Sequence, residues 1–290
     1  MPAFRRPDGV FCRDVAPVRR IMPFLMRRRN ESAVYHETLF DISRTRRWLK
    51  AYNRTHAQRA TLFHLFAYAC AQALHARPGL NRFVSGGHLY QRRDVTISFT
   101  AKREMSDEAP FVTVKVAFPT DEPFEPAVRR MVAAVHDARD GPARQVDREV
   151  AFVTRLPGPL VRALVGLERL LDGWNLTPAF LIGPDPMYAS LFLANLGSVG
   201  LADTFHHLYE YGTVSIFGVL SAPRLAPVVV DRALAVRESM QVRWTFDERI
   251  HDAFYCAASL RIAQRIVEDP ERHLGPPEAE SNSLRAVALD

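Results

Sequence analysis

The patterning of the chain predicts a single mixed α/β domain, and three observations carry that expectation. Residues 94–101 (DVTISFTA) and 111–118 (FVTVKVAF) alternate β-branched or aromatic side chains with small or polar ones, which is the two-residue period of a strand. Elsewhere apolar residues recur at helical spacing, as at Leu62, Phe66, Ala69 and Ala73, which gives a helix one apolar face. No Gly- or Ser-rich linker and no internal repeat divides the 290 residues, a length that fits one large domain or two small ones.

In chain order, residues 36–43 (HETLFDIS) read as a strand ending at a serine able to cap a helix. That helix is expected from about Arg44 to Asn53 and a longer one from about Leu62 to Ala76, stopped by Pro78-Gly79. Strands are expected at 88–92, 94–101 and 111–118, then an amphipathic helix from Pro123 to about Ala138. Residues 157–173 (PGPLVRALVGLERLLDG) place proline at a helix start and glycine at its end. A proline-rich connector, TPAFLIGPDP, leads to strands at 188–194, 213–220, 226–230 and 239–246. The last helix runs from about Ala253 to Glu268 and stops at Asp269-Pro270, and the polar tail 275–290 is expected to be disordered.

Composition narrows the function classes. With 48% hydrophobic and 24% charged residues the chain is not a disordered one. The three cysteines, Cys12, Cys70 and Cys256, are too few and too widely spaced for a disulfide framework or a CxxC metal site. A reducing compartment, the cytoplasm, is the expectation. No stretch reaches the roughly 20 apolar residues of a membrane span, and the opening MPAFRRPDGVFCRD lacks the apolar core of a signal peptide.

The formal charge is +6, and Arg5, Arg6, Arg13, Arg19, Arg20, Arg27, Arg28 and Arg29 crowd the N-terminus. Such a cluster serves either as an anion-binding arm or as a segment packed on a neighbouring subunit with its charges solvated. The second is the expectation, with residues 1–17 as a basic arm. The aromatic and glycine interleaving of RNA binders is missing, so nucleic acid is not an expected partner.

Most of the short motifs in the chain carry little chemistry. Ser85-Gly86-Gly87-His88 lacks the lysine and spacing of a phosphate-binding loop and reads as a hairpin turn. No HExxH and no His/Cys cluster at metal-ligand spacing occurs, and Ser190 and Ser198 lie outside any G-x-S-x-G context.

Three stretches gain meaning together: PGLNRF at 78–83, LFLANLGSVG at 191–200 and FDERIHDA at 246–253. In order, spacing and setting they resemble the catalytic domain of the dihydrolipoamide acyltransferases of 2-oxoacid dehydrogenase complexes and the related chloramphenicol acetyltransferase fold. That family carries a strand, then Asp-His-Arg-x-x-Asp-Gly, then a helix; here the turn reads Asp247-Glu248-Arg249-Ile250-His251-Asp252-Ala253. It also carries a Ser-Asn-Leu-Gly-like segment upstream; here Ala194-Asn195-Leu196-Gly197 begins 54 residues ahead of Glu248. Arg19-Arg20-Ile21 matches the family's arginine-rich first helix, and HETLFDISRTRRWLK its strand-then-helix opening.

The resemblance covers about residues 18–274 and implies a two-layer α/β sandwich with a mixed sheet and flanking helices. It also implies a trimer whose active-site channels lie between subunits, and a coenzyme A thioester as substrate. In the family the signature histidine deprotonates a thiol and the serine donates to the tetrahedral oxyanion. Glu248 and Ala194 stand at those two positions. A positioned base contributes about 10²–10⁴ in rate and an oxyanion donor about 10²–10³, so either loss matters.

Three replacements are available in the sequence: Glu248 itself as base in a dry tunnel, His251 three positions later, or His206 and His207 within FHHLYEY at 205–211. The first is the candidate, with one of the two histidines orienting it. Asp252 is expected to cap the last helix, and the resemblance pairs it with Arg19 or Arg20. Asn195, Gly197 and Arg249 are expected to shape the site.

Two departures from the family stand out. A helical insertion spans about 150–187, with Leu160, Leu164, Leu167 and Leu171 along one stripe, and a lid or an intersubunit pad is expected of it. No lipoyl-bearing or small subunit-binding domain precedes the core, so the chain is not expected to be the working acyltransferase of such a complex by itself. The expectation is a coenzyme A-thioester-dependent acyltransferase with a rebuilt site. The competing reading is a non-catalytic scaffold or acyl-CoA-binding protein that kept the fold.

Overall fold

The computed structural model describes residues 5–102, 111–140, 148, 151–202 and 204–277. Its strands are β1 (Gly9–Phe11), β2 (Ala33–Asp41), β3 (Arg82–Ser85), β4 (His88–Arg92), β5 (Thr96–Lys102), β6 (Phe111–Ala117), β7 (Leu191–Asn195), β8 (Ile216–Leu220), β9 (Arg224–Val230) and β10 (Ala233–Asp247). Its helices are α1 (Pro17–Leu25), α2 (Ser43–Thr55), α3 (Leu62–Ala76), α4 (Phe124–Asp140), α5 (Gly158–Gly173), α6 (Ala179–Ile182), α7 (Ala253–Glu268) and α8 (Pro270–Leu274).

The main sheet runs β2-β10-β8-β7-β5-β6, with β9 paired to the first half of β10. It is mixed, because β7 lies parallel to both β5 and β8 while the other pairs are antiparallel. A second sheet, β1-β4-β3, stands apart. The β3–β4 connection is a two-residue hairpin in which Gly86 and Gly87 have φ of 57° and 76°, values that glycine reaches without a steric cost.

Helices α2, α3, α4 and α7 cover one face of the main sheet and bury its apolar side chains. Phe66 of α3 stacks on Trp244 of β10 and meets Phe40 of β2 edge-on, and all three are buried. The largest fully buried side chains, Phe40, Leu65, Phe66, Ile97, Met131 and Met240 among them, come from both layers. The expected two-layer α/β sandwich with a mixed sheet is therefore the observed one.

Several boundaries differ from the patterning, for physical reasons. The first half of β10 pairs only with β9 as a protruding hairpin, exposing Leu225, Val229, Leu234 and Val236. Its solvated apolar residues do not alternate as a half-buried strand does, so the pattern marks only the second half of the strand. The proline-rich connector contains the short α6, which Pro178 introduces. The expected disordered tail lies outside the described residues from 278 onward.

The N-terminal stretch is more deeply built in than a solvated basic arm. β1 joins the small sheet, and Arg6 and Arg29 are only 3% and 7% exposed. Arg6 meets Asp8 and Asp172, each at 2.9 Å, and donates to Ser85 Oγ at 2.7 Å. A one-dimensional pattern shows the arginines but not the distant carboxylate that lets one of them leave water.

The helix α5 has no buried residue. It is fastened by polar contacts: Tyr188 donates to Glu168 at 2.8 Å, and Asp172 binds Arg6. Its apolar Leu160, Leu164, Leu167 and Leu170 look into solvent.

At the start of α3, His64 closes a capping box: its Nδ1 accepts from Thr61 N, and its own N–H donates to Thr61 Oγ1. Burial pushes the imidazole down to about 4, and the neutral ring suits an acceptor Nδ1. The unfolded ring takes up a proton near pH 6.5, so the folded chain binds fewer protons between about pH 6.5 and 4. Stability is then expected to fall as pH is lowered through that window, by up to about 3 kcal/mol. Urea midpoints across this range test it: His64→Gln should flatten the dependence, and an unchanged slope would show that another group is responsible.

Candidate active site

The turn after β10 is fixed by a buried ion pair. Arg249 donates from Nε to Asp247 Oδ1 at 2.8 Å and from Nη2 to Oδ2 at 2.7 Å, with both side chains almost wholly out of solvent. Two parallel charge-assisted bonds set the guanidinium orientation as well as its position. Ser32 Oγ donates to Asp247 Oδ1 at 3.0 Å, and Arg249 Nη1 donates to Met26 O at 2.9 Å. The turn is thereby locked to the segment that joins α1 to β2.

Glu248 sits at the apex of this frame. Its backbone N–H donates to Ser32 O at 3.0 Å, and its carbonyl accepts from Arg19 Nη1 at 2.7 Å. The side chain is half-buried. Among the described residues its carboxylate makes no hydrogen bond and no ion pair, so the arginine holds the main chain and leaves the acid free.

Arg19 reaches further. Its Nη2 lies 3.7 Å from Asp252 Oδ2, while Asp252 Oδ1 accepts from Tyr255 N at 2.8 Å as the N-cap of α7. Arg20 is exposed and, among the described residues, makes no ion pair. The Asp252 carboxyl is held below the usual carboxylate range, first by the Tyr255 amide and then by His251 and Arg19.

His251 turns away from Glu248. Its ring stacks on Tyr255 at 3.6 Å between centroids, and Nδ1 lies 3.2 Å from Asp252 Oδ2. The Pro78–Leu80 turn closes on the same ring pair: Tyr255 Oη accepts from Gly79 N at 3.0 Å. A Cβ at Gly79 would come within 2.8 Å of His251 Cδ2 and Tyr255 Cζ, so the contact requires glycine. Two of the three motif stretches thus touch one another.

The third does not join them within one chain. β7 aligns Ala194 with Val219 of β8, which faces Arg243 of β10, and Glu248 lies five residues further along. At about 3.4 Å per residue and about 4.8 Å per strand step, Ala194 and Glu248 are roughly 20 Å apart. Ala194 and Asn195 are half-buried at the end of β7, and Gly197 packs so closely that a Cβ there would lie 2.7 Å from Ser221 O.

His206 and His207 also stand away from Glu248. The His206 ring lies flat on Phe217 at 4.0 Å and against His207, and its carbonyl accepts from Thr245 Oγ1 at 2.5 Å. Burial pushes the His206 imidazole below its ordinary value. No hydrogen bond joins either imidazole to Glu248 among the described residues. The two rings instead cover β8 and β10 beside Phe205, which packs on Tyr35 and under Arg243.

Sequence reasoning did not single out Ser32, and it read Asp247 only as the first residue of the turn motif. The Asp-x-Arg spacing was visible, but that both groups leave water together was not. Among the described residues no three His, Cys, Asp or Glu side chains gather as a metal site, and no helix is long and apolar enough to cross a membrane.

Residues 185–275 match the family of the 2-oxoacid dehydrogenases acyltransferase (catalytic domain). No curated protein matches the chain. Among solved structures, a probable dihydrolipoamide acetyltransferase from Listeria monocytogenes superposes with a TM-score of 0.60 at 16% identity, covering 88% of this chain and 93% of that one. The Azotobacter vinelandii dihydrolipoamide acetyltransferase, from an investigation of the catalytic roles of a serine, a histidine and an asparagine, gives 0.55 at 15% identity over 89% and 93%. A chloramphenicol acetyltransferase gives 0.55 at 13% identity over 90% and 98%. The shared fold extends along nearly the whole chain, while the sequence match lies in its C-terminal third and includes both the 194–197 segment and the 247–253 turn.

Replacing Asp252 separates its two duties. Asp252→Ala is expected to cost about 1 kcal/mol, the usual loss of an N-cap acceptor, whereas Asp252→Asn keeps the cap and loses only the attraction to Arg19. Because the folded carboxyl is the more acidic, its contribution is fully present above about pH 4 and is lost as pH falls through the folded value. Urea midpoints of the two variants at neutral and acid pH measure this; an Ala variant as stable as the parent would show that the cap contributes nothing.

Proposed function

We propose that this chain, with the acyltransferase catalytic-domain match and that family's fold, transfers an acyl group from a coenzyme A thioester to a thiol, hydroxyl or amine acceptor. The carrying observation is the frame around Glu248: Ser32 and Arg19 hold its main chain, Asp247–Arg249 locks the turn, and the carboxylate is left unpartnered among the described residues. A structural carboxylate is ordinarily paired when its neighbours include an arginine within reach. Here the arginine is spent on the carbonyl and on Asp252.

In the proposed reaction, Glu248 takes the proton of the acceptor as its sulfur, oxygen or nitrogen attacks the thioester carbonyl. The tetrahedral intermediate collapses with cleavage of the carbon–sulfur bond, and the coenzyme A thiolate leaves and recovers the proton. Ala194 has no hydrogen to give the oxyanion, so backbone N–H groups of the Ala194–Gly197 segment are proposed in its place. Since that segment lies roughly 20 Å from Glu248 within a chain, the complete site joins Glu248 of one copy to residues 194–197 of a second, in a homotrimer. The same closure dries the carboxylate, which is how a carboxyl becomes a stronger base. His206 or His207 of the second copy is the proposed orienting group.

Two observations favour a second reading, an acyl-CoA-binding scaffold without turnover: Ala194 offers no side-chain donor, and among the described residues no imidazole reaches Glu248. Release of free thiol from acetyl-CoA, with a panel of acceptors, decides between the two. Turnover that falls about 10²–10⁴-fold in Glu248→Gln, with coenzyme A binding retained, supports the transferase; absence of release from any acyl-CoA supports the scaffold. Light scattering is expected to report a trimer, and a clean monomer would remove the shared site.

A further inference from the structure

A cavity of about 460 Å³ opens between the end of α1, the β3–β4 hairpin and the inserted α5. Its volume lies within the range of small-ligand sites. Arg27, Arg28 and Arg29 line one wall, Arg169 of α5 the other, and Gly86 and Gly87 the floor. The floor is closely built: a Cβ at Gly86 would lie 2.1 Å from Gly173 O, and one at Gly87 would meet the Phe24 ring at 3.0 Å. Glycine at both places lets the hairpin close against the end of α5.

The charges on the walls do not cancel. Three carboxylates reach the cavity, and each is engaged: Asp172 by Arg6, Glu168 by Tyr188, and Glu210 by the amides of Arg29 and Asn30. Arg249 is held by Asp247. Among the described residues, the side chains of Arg27, Arg28 and Arg169 make no ion pair. Arg29, 7% exposed, anchors the run of three: its Nη1 donates to Tyr209 O at 3.0 Å and its N–H to Glu210.

We propose that this cavity is a binding site for the phosphoryl or diphosphoryl group of a water-soluble ligand. Guanidinium forks recognise phosphate in a bidentate manner, and four of them converge here. The walls are predominantly polar, with Pro23 and Val84 as their apolar members, so the head group and not an acyl tail is what the cavity accepts. Two of its walls are the RRR run and the inserted α5, which along the sequence show only as solvated charge and a lid. The claim stands whether or not Glu248 turns over thioesters.

Isothermal titration of the full chain with pyrophosphate tests it, at constant ionic strength and with acetate as the control anion. The triple variant R27Q/R28Q/R169Q changes only exposed side chains, and circular dichroism confirms its fold. Pyrophosphate binding by the parent, weakened at least about ten-fold in the triple variant and not competed by equimolar acetate, supports the site. Each single substitution is expected to weaken binding by a smaller factor, which keeps the test open if the triple variant unfolds. Absence of a binding heat in the parent, or equal affinity in the parent and the variants, overturns the proposal.

Discussion

Everything near the candidate site hangs on one buried ion pair. Asp247 and Arg249 leave water together at the end of β10, and the cost of desolvating them is offset by two bonds to each other, one from Ser32 and one to Met26 O. Removing one member leaves an uncompensated charge, the situation that costs most in a protein interior. The pair holds a strand end, a helix end and a turn in one arrangement, and so decides where Glu248 and Asp252 can stand.

A second polar assembly does the same for α5. α5 has no fully buried residue, and polar contacts fasten it. Arg6 ties it down by binding Asp172 while also meeting Asp8 and Ser85, so the N-terminus, the hairpin and the helix share one cation. Arg92 adds to the assembly from β4, with Asp8 within 3.8 Å and Thr213 O accepting at 2.6 Å. Arginine suits such a hub because its fork serves several acceptors and stays charged when buried. The exposed leucines of α5 face solvent beside the row that carries its attachment, Glu168 and Asp172.

The site is legible in the sequence only as far as local patterning reaches. Asp252 before an apolar helical run signals a cap, and the capping bond to Tyr255 N is there. PGLNRF and FDERIHDA come into contact through Gly79 and His251, although nothing in either stretch names the other. The separation of Ala194 from Glu248 is a matter of register: β10 runs five residues past the point where β8 and β7 align with it. No spacing along the chain contains that number.

By itself the sequence determined the element types and most of their order, since the periods of strand and helix and the proline and glycine stops are local properties. It also determined, through its resemblance, the two-layer sandwich that those elements form. Only the tertiary structure decided which arginines are buried. Whether a cation leaves water depends on a carboxylate brought to it from elsewhere, and Arg6 finds Asp172 from 166 positions away. Long-range electrostatic pairing has no signature in composition, and it is what converts a run of basic residues into a lined cavity and a free carboxylate into a candidate base.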